Sequence, residues 1–507
     1  MLADCALRHP EREALVCGAR RISFGELNAT ANTLANAFAA HGQKVGDRLA
    51  MYLPNSAELI EAMVGAAKSG GVIVPIATRL AAREVDYILG DCDPWAIFFL
   101  PEFRQTVHEA AKRLNGPLLV VIGEAEDGEI SFERLRRDAG DAPPPWLPSS
   151  PDDLMIGYTS GTTGRPKGAV ATHTGLVLLG GYINAKEWDL RPDDRILATT
   201  PMAHRTGLGR IANAVCIGCA VVVMPRFDAV ACVDAIEREK ITVIGLVPTI
   251  ARMLMPEIEK RPDACRTLRK MVATGEAFPV EIKQRLAKAL PDLELYSFYA
   301  QTEAGFITCL RPDEQLTHPA SCGRPVPGVE LRIVDAARND VAVGETGEIL
   351  MRCGGHGLTA MTEYWRNPEA TAAAFHGDWL ITGDVGRLDE DGYLYFVDRA
   401  KDMIVSGGLN IYSREVEETL EAHPAVDEAA VVPMPDPEFG ESVCAFVTLH
   451  SGKSATQEQL VDHCRALIAS YKKPKRVIFV DELPRNSTGK ITKVTLRERA
   501  AAGMAGT

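Results

Sequence analysis

Short apolar runs alternating with amphipathic or capped segments organise most of this chain. From Ile22 to about Gly71 the pattern predicts strand, helix, strand. Ser23 stands as N-cap with Glu26 three residues on, the reciprocal arrangement that starts a helix, and VGDRLAMYL follows as an apolar strand closed by Pro54. The alternation recurs in SGGVIVPI, in a helix near Ala81 to Gly90, and in WAIFFL, LLVVIG, CAVVVM, TVIGLV and KMVAT. Strands interleaved with helices in this way predict a mostly parallel, layered α/β architecture.

A proline-rich connector, DAPPPWLPSSPDD at residues 141–153, interrupts that rhythm. Further on, Asp391-Gly392 separates two β-rich runs as a hairpin turn. After Arg399 a charged segment leads into EVEETLEAHP, EAAVVPM, CAFVTLH, a helix from about Thr456 to Ser470, and RVIFV. The expected fold is therefore α/β: a large N-terminal domain of several subdomains, residues 1–399, with layered sheets and helices, and a small mobile α+β C-terminal domain, residues 400–507. A chain of 507 residues exceeds what a single core usually organises, which agrees with this division.

Composition narrows the class. With 46% hydrophobic and 24% charged residues the chain reads as an ordinary globular protein. A net charge of -13 with scattered Lys and Arg disfavours nucleic acid as a partner. The apolar run from Ala212 to Met224 falls short of the about 20 residues a membrane span requires. Charges interrupt any apolar signal core near the N-terminus, and the C-terminal AAGMAGT is no peroxisomal tripeptide, so a cytoplasmic location is expected. Twelve dilute cysteines predict no disulfide scaffold, and Cys216 and Cys219, the only C-x-x-C, read as buried structural thiols. A homodimer is the default among closed assemblies.

The strongest local signal is YTSGTTGRPKG, Tyr158 to Gly168. Glycines let the backbone curl so that N–H groups face an anion, hydroxyls add donors, and Lys167 adds positive charge, which together make a phosphate cradle. It is no Walker loop, because Gly168 follows Lys167 where Ser or Thr is required. YAQTE, Tyr299 to Glu303, joins an aromatic face suited to a purine with a hard carboxylate suited to Mg²⁺.

These motifs resemble the adenylate-forming superfamily, which holds acyl-CoA synthetases, carrier-protein adenylation domains and firefly-type luciferases, and further blocks of that family follow in order along nearly the whole chain. The resemblance implies that Thr159, Ser160, Gly161, Thr162, Thr163, Gly164 and Lys167 hold the phosphates of ATP, that Tyr299 and Ala300 meet adenine, that Thr302 contacts the α-phosphate, and that Glu303 binds magnesium. Ala300 replaces the usual glycine of that block. ATGEAFP supplies Gly275, Glu276 and Ala277 to the adenine and acyl sites, and TGD supplies Asp384 for the ribose together with Arg399. Lys401 is implied as the hinge, and Gly407 and Gly408 as lining for the pantetheine of coenzyme A. In PRNSTGKITK, Lys490 would neutralise charge as a carboxylate attacks the α-phosphate. His204, in PMAHRTGL, would sit beside an acyl pocket whose other positions fall near Ile183, Val247 and Gly275. Arginine ordinarily lies at the surface, so Arg205 and Arg210 are expected to face solvent; either one turned inward would mean a substrate with a second anionic or polar group.

The implied activity is an ATP-dependent carboxylate–CoA ligase of the acyl-CoA synthetase branch, with ATP, Mg²⁺, coenzyme A and a small carboxylic acid of aromatic, short-chain or medium-chain type as its ligands. The alternatives are an adenylation enzyme that loads a carrier protein, disfavoured because no carrier segment is apparent, a luciferase-like oxidase, disfavoured by 6% aromatics, and a non-catalytic nucleotide-binding protein.

Overall fold

Ser23 accepts a hydrogen bond from the Glu26 amide at 3.2 Å, the Glu26 carboxylate accepts one from the Ser23 amide at 2.8 Å, and the helix Phe24–Ala40 runs on from this capping box. The computed structural model describes every residue except 138, 146–152, 160–165, 275–277, 356, 486–490 and 503–507. The chain divides into two compact units, one of Met1–Leu331, Met351–Thr382 and Gly392–Leu394, the other of Arg332–Leu350, Gly383–Asp391 and Tyr395–Thr507.

In the first unit the apolar runs form two sheets. One orders the strands Arg324–Pro325, Gly305–Leu310, Glu294–Gln301, Lys270–Thr274, Val243–Leu246, Arg195–Ala198, Ala220–Val223, Glu13–Cys17 and Arg20–Ser23. Its interior pairs are parallel and its edge pairs antiparallel. The other orders Glu129–Ser131, Leu118–Val121, Ala96–Phe99, Arg48–Tyr52, Val72–Pro75, Asp153–Thr159 and Lys167–Thr172, parallel until the antiparallel hairpin of the last two.

Side chains alternate across a strand, and both faces of these sheets are covered, so successive apolar residues enter different cores. Phe98 packs in one core with Phe24, Phe38 and Leu49, whereas Ile97 and Phe99 join Val74 and Ile156 in another. Likewise Ile196 belongs to the first core and Leu197 to a third, with Ile244 and Leu254. The helix expected near Ala81 to Gly90 spans Ala82–Cys92 and keeps Gly90 in its last turn. Asp93, at φ 46°, takes the left-handed cap in place of a glycine, a conformation short polar side chains accept best after glycine.

In the second unit the strands Val426–Asp436 and Gly440–Leu449 form a long antiparallel ribbon. Val431, Ala445 and Val447 pack with Val416 and Leu420 on one face, and Val432, Cys444 and Phe446 with Leu483 and Leu496 on the other. Gly407 and Gly408 have φ of 58° and 81° in the two-residue turn between Ile404–Ser406 and Leu409–Ile411. A turn with positive φ at both central positions follows the strand twist and requires glycine here on conformational grounds alone.

Among the described residues no helix is long and apolar enough to cross a membrane, and no group of three or more His, Cys, Asp or Glu is placed to hold a metal ion. Cys216 and Cys219 are free thiols that burial pushes up to about 12, Cys219 fully buried as expected and Cys216 only half-buried.

Candidate active site

In the first unit Thr159 and Lys167 are cross-strand partners, so both ends of the glycine-rich loop leave the sheet together. Ser160, Gly161, Thr162, Thr163 and Gly164 lie outside the described residues. The hairpin is tied down from outside: the Tyr158 hydroxyl donates to Asp91 Oδ2 at 2.5 Å, the Trp365 amide donates to the Gly168 carbonyl at 2.7 Å, and the Trp365 indole donates to the Asp91 carbonyl at 3.2 Å. Burial and the Asp91 carboxylate raise the Tyr158 hydroxyl, which stays a neutral donor.

Glycine at 157 admits the Thr302 side chain, since an added Cβ would lie 2.8 Å from Thr302 Cγ2. That close approach brings the end of the strand Glu294–Gln301 onto the hairpin. The strand keeps its path through Ala300 by a bulge between Tyr299 and Ala300, and Glu303 follows in the turn. Glu303 Oε1 accepts from the Thr159 hydroxyl at 3.1 Å and from the Tyr364 hydroxyl at 3.1 Å. Lys167 Nζ stands 5.0 Å from the centroid of the Tyr364 ring. Burial and the Glu303 carboxylate raise Tyr364, so it too remains a donor. Upstream, Gln301 Nε2 donates to the Tyr299 hydroxyl at 3.2 Å and to the Thr382 carbonyl at 3.0 Å, fixing the half-buried ring of Tyr299.

The donor set around Glu303 fits magnesium. Two hydroxyls orient one carboxylate oxygen and leave the other to a hard cation, and Mg²⁺ characteristically takes one or two carboxylates with water and substrate phosphates for the rest.

His204 is the N-cap of the helix Arg205–Ile217. The two arginines after it do not face solvent as expected. Arg205 is half-buried, its Nη1 donating to the Thr302 carbonyl at 2.6 Å and its Nη2 to the Thr359 carbonyl at 3.1 Å. Burial pulls its guanidinium down to about 10 while the Glu303 carboxylate acts to raise it. Arg210 is only 4% exposed. The cause is the helix itself, whose Gly207, Leu208, Ile211 and Ala212 are buried too, so both arginines are carried inward and are met by carbonyl dipoles, a neutral amide and an aromatic face.

In the second unit the two ribose candidates come together, with Arg399 Nε 3.7 Å from Oδ1 of the buried Asp384. The Ala400 amide donates to the Gly383 carbonyl at 2.9 Å, which closes this corner. Asp398 accepts from the amide and hydroxyl of Ser413, and Lys493 Nζ donates to the Ser413 hydroxyl and to Glu417 Oε1, each at 2.7 Å. Arg497 pairs with Asp402 next to the exposed Lys401. Lys490, Gly275, Glu276 and Ala277 lie outside the described residues.

Sequence reading missed Tyr364, Asp91 and the inward turn of Arg205. The signal available for the first was TEYWRNPEAT, an aromatic pair in a polar, proline-containing stretch with no periodicity to explain it.

Residues 2–365 match the family described as AMP-binding enzyme, and residues 415–490 match the AMP-binding enzyme C-terminal domain. A long-chain-fatty-acid–CoA ligase, FadD13, of Mycobacterium tuberculosis is 36% identical over 95% of this chain and 94% of its own length. An indoleacetate–CoA ligase of Aromatoleum aromaticum is 36% identical over 98% of this chain and 95% of its own. The crystal structure of ATP-bound MatB from Rhodopseudomonas palustris superposes with a TM-score of 0.89 at 30% identity, covering 98% of each chain. The chain belongs to the AMP-binding, adenylate-forming enzymes, in their acyl-CoA synthetase branch.

Proposed function

We propose that this acyl-CoA ligase works in two half-reactions. A carboxylate oxygen of the acid attacks the α-phosphorus of ATP, the bond to the departing pyrophosphate breaks, and an acyl adenylate forms. The sulfur of coenzyme A then attacks the acyl carbonyl and AMP leaves. The observation that carries this reading is the convergence of Thr159 and Tyr364 on Glu303 Oε1 beside Lys167. An anion-cradling loop next to an oriented carboxylate suits a magnesium nucleotide, and phosphoryl chemistry needs positioning and fixed charge rather than a protein nucleophile.

In this reading Thr159, Lys167 and the loop between them hold the phosphates, Thr302 meets the α-phosphate, and Tyr299 lies on adenine. Asp384 and Arg399 take the ribose hydroxyls, for which a buried carboxylate beside a guanidinium provides both acceptor and donor. Glu303 holds magnesium, which when bound offsets phosphate charge. Lys490 serves the first half-reaction by meeting the charge that develops between carboxylate and α-phosphate. The C-terminal domain, residues 400–507, turns at Lys401 between the half-reactions, and Gly407 and Gly408 then border the pantetheine. His204 stands beside the acid. The ATP and coenzyme A consumed fit a cytoplasmic enzyme.

The test is product analysis. Incubation with ATP, Mg²⁺, coenzyme A and a panel of aromatic, short-chain and medium-chain acids should yield AMP, pyrophosphate and the free coenzyme A thioester of at least one acid. Acyl adenylate formed without any thioester on free coenzyme A would favour a carrier-loading enzyme instead.

A further inference from the structure

Arg210 is a buried cation without a counter-ion among the described residues. At 4% exposure it makes one hydrogen bond among the described residues, from Nη1 to the neutral amide oxygen of Asn213 at 3.2 Å, and its guanidinium carbon lies 4.6 Å from the centroid of the Trp188 ring. No carboxylate stands within ion-pair distance among the described residues, and burial alone pulls the group down to about 10. A desolvated charge left unpaired is costly, and buried charges are ordinarily paired. An aromatic face and one neutral acceptor satisfy only part of a guanidinium with five N–H donors.

The surroundings are arranged around this side chain. Gly245 makes room for it, because a Cβ there would lie 2.8 Å from Arg210 Nε. Gly245 sits toward the carboxyl end of the parallel strand Val243–Leu246, the end at which open α/β sheets bind their ligands. Asn213, which accepts from Arg210, donates in turn to the carbonyls of Gly180 and Gly181 in the wide-wound helical segment Leu176–Ile183. Helix, strand and wide-wound segment therefore converge on one guanidinium. Interior space adjoins the same helix: Gly209 is buried, yet a Cβ added to it would meet nothing within 4 Å. Gly209 lies one helical turn from Arg205, which holds the Thr302 carbonyl, and Arg210 follows on the neighbouring face of the same helix.

We propose that Arg210 receives a second carboxylate of the acid substrate, remote from the one that is adenylated, so that the enzyme activates dicarboxylic acids in preference to monoacids of the same length. The inference rests on the ligase reading above. A carboxylate supplies the missing counter-charge and can accept two parallel N–H bonds from the guanidinium fork, whereas a monoacid would leave the cation buried and unpaired.

Pyrophosphate release measured with matched pairs, butyric against succinic, hexanoic against adipic and benzoic against terephthalic acid, tests it. In at least one pair kcat/KM favours the diacid by about tenfold or more. Arg210→Met, which keeps most of the volume, lowers that diacid-to-monoacid ratio by about 100-fold, chiefly through KM, and Arg210→Lys restores part of it. Equal or higher rates for the monoacid in every pair overturn the inference while leaving the ligase reading standing, as does an Arg210→Met variant that slows both members of the pair alike. No release with any acid overturns the ligase reading and the inference with it. Should Arg210→Met fail to fold, the wild-type enzyme with ATP still decides: a diacid that raises Tm above its matched monoacid supports the inference, and equal shifts overturn it.

Discussion

Tyr364 and Glu303 are 61 residues apart in sequence, and their hydroxyl and carboxylate oxygens are 3.1 Å apart in the fold. With Thr159 on the same oxygen, two side-chain hydroxyls orient the carboxylate. Removing one of two donors to a charged acceptor costs about 1.5–3 kcal/mol. Tyr364→Phe should therefore lower kcat/KM for magnesium-ATP by at least about tenfold, measured by pyrophosphate exchange, with the KM for coenzyme A unchanged. Raising Mg²⁺ should recover part of that loss, and none of the loss in Glu303→Gln.

Asp384 and Arg399 predict a ribose-specific defect. Asp384→Ala should raise the KM for ATP by about 10–100-fold while leaving the KM for the acid nearly unchanged. Wild-type enzyme should be impaired with 2′,3′-dideoxy-ATP, and the variant should be no worse with that nucleotide than with ATP. A dideoxy penalty that persists at full size in Asp384→Ala would remove the ribose assignment.

Lys283 gives a pH-dependent prediction unrelated to catalysis. It is 3% exposed, its Nζ donates to the Pro319 carbonyl at 2.8 Å, and burial lowers it from 10.5 to about 8. Below the folded value both states carry the proton and the fold bears the whole cost of burying the charge. Between the folded and unfolded values only the unfolded chain holds the proton, so stability rises with pH there. At pH 7 Lys283→Met should be more stable than wild type by about 1–3 kcal/mol, and that advantage should shrink as pH climbs from 8 toward 10.5. Chemical denaturation of both proteins across this range measures the difference, in which the buried cysteines cancel. An advantage that stays constant with pH would contradict the account.

Ser23→Ala removes half of the capping box on Phe24–Ala40. A loss of about 1 kcal/mol in stability with unchanged kinetics is expected; urea denaturation alongside a steady-state assay reads both.

The features legible in the sequence were those with a local cause. The capping box at Ser23, the apolar strands and the Asp391-Gly392 turn each follow from residues close together in the chain. Glu303, Asp384 and Arg399 stood out as candidates because each lies in a contiguous motif; within the first unit the structure sets Thr159 and Lys167 on facing strand positions, and within the second it sets Asp384 beside Arg399. Tyr364 was not legible, since its role depends on a contact made only once the chain after Cys353 folds back onto the hairpin. Arg205 and Arg210 were misjudged because charge usually decides exposure, whereas here a helix buried on most of its faces carries them inward. Gly407 and Gly408 were read by the space a missing side chain leaves, while their backbone shows a turn that needs glycine whatever passes beside it.

The two half-reactions make separate demands on the enzyme, and Lys490→Ala tests that separation most directly. Carboxylate-dependent ATP–pyrophosphate exchange is measured beside thioester formation from supplied acyl adenylate and coenzyme A. Exchange should fall by at least about 100-fold while thioester formation stays largely intact. Equal loss in both steps, or exchange that survives the substitution, would contradict it.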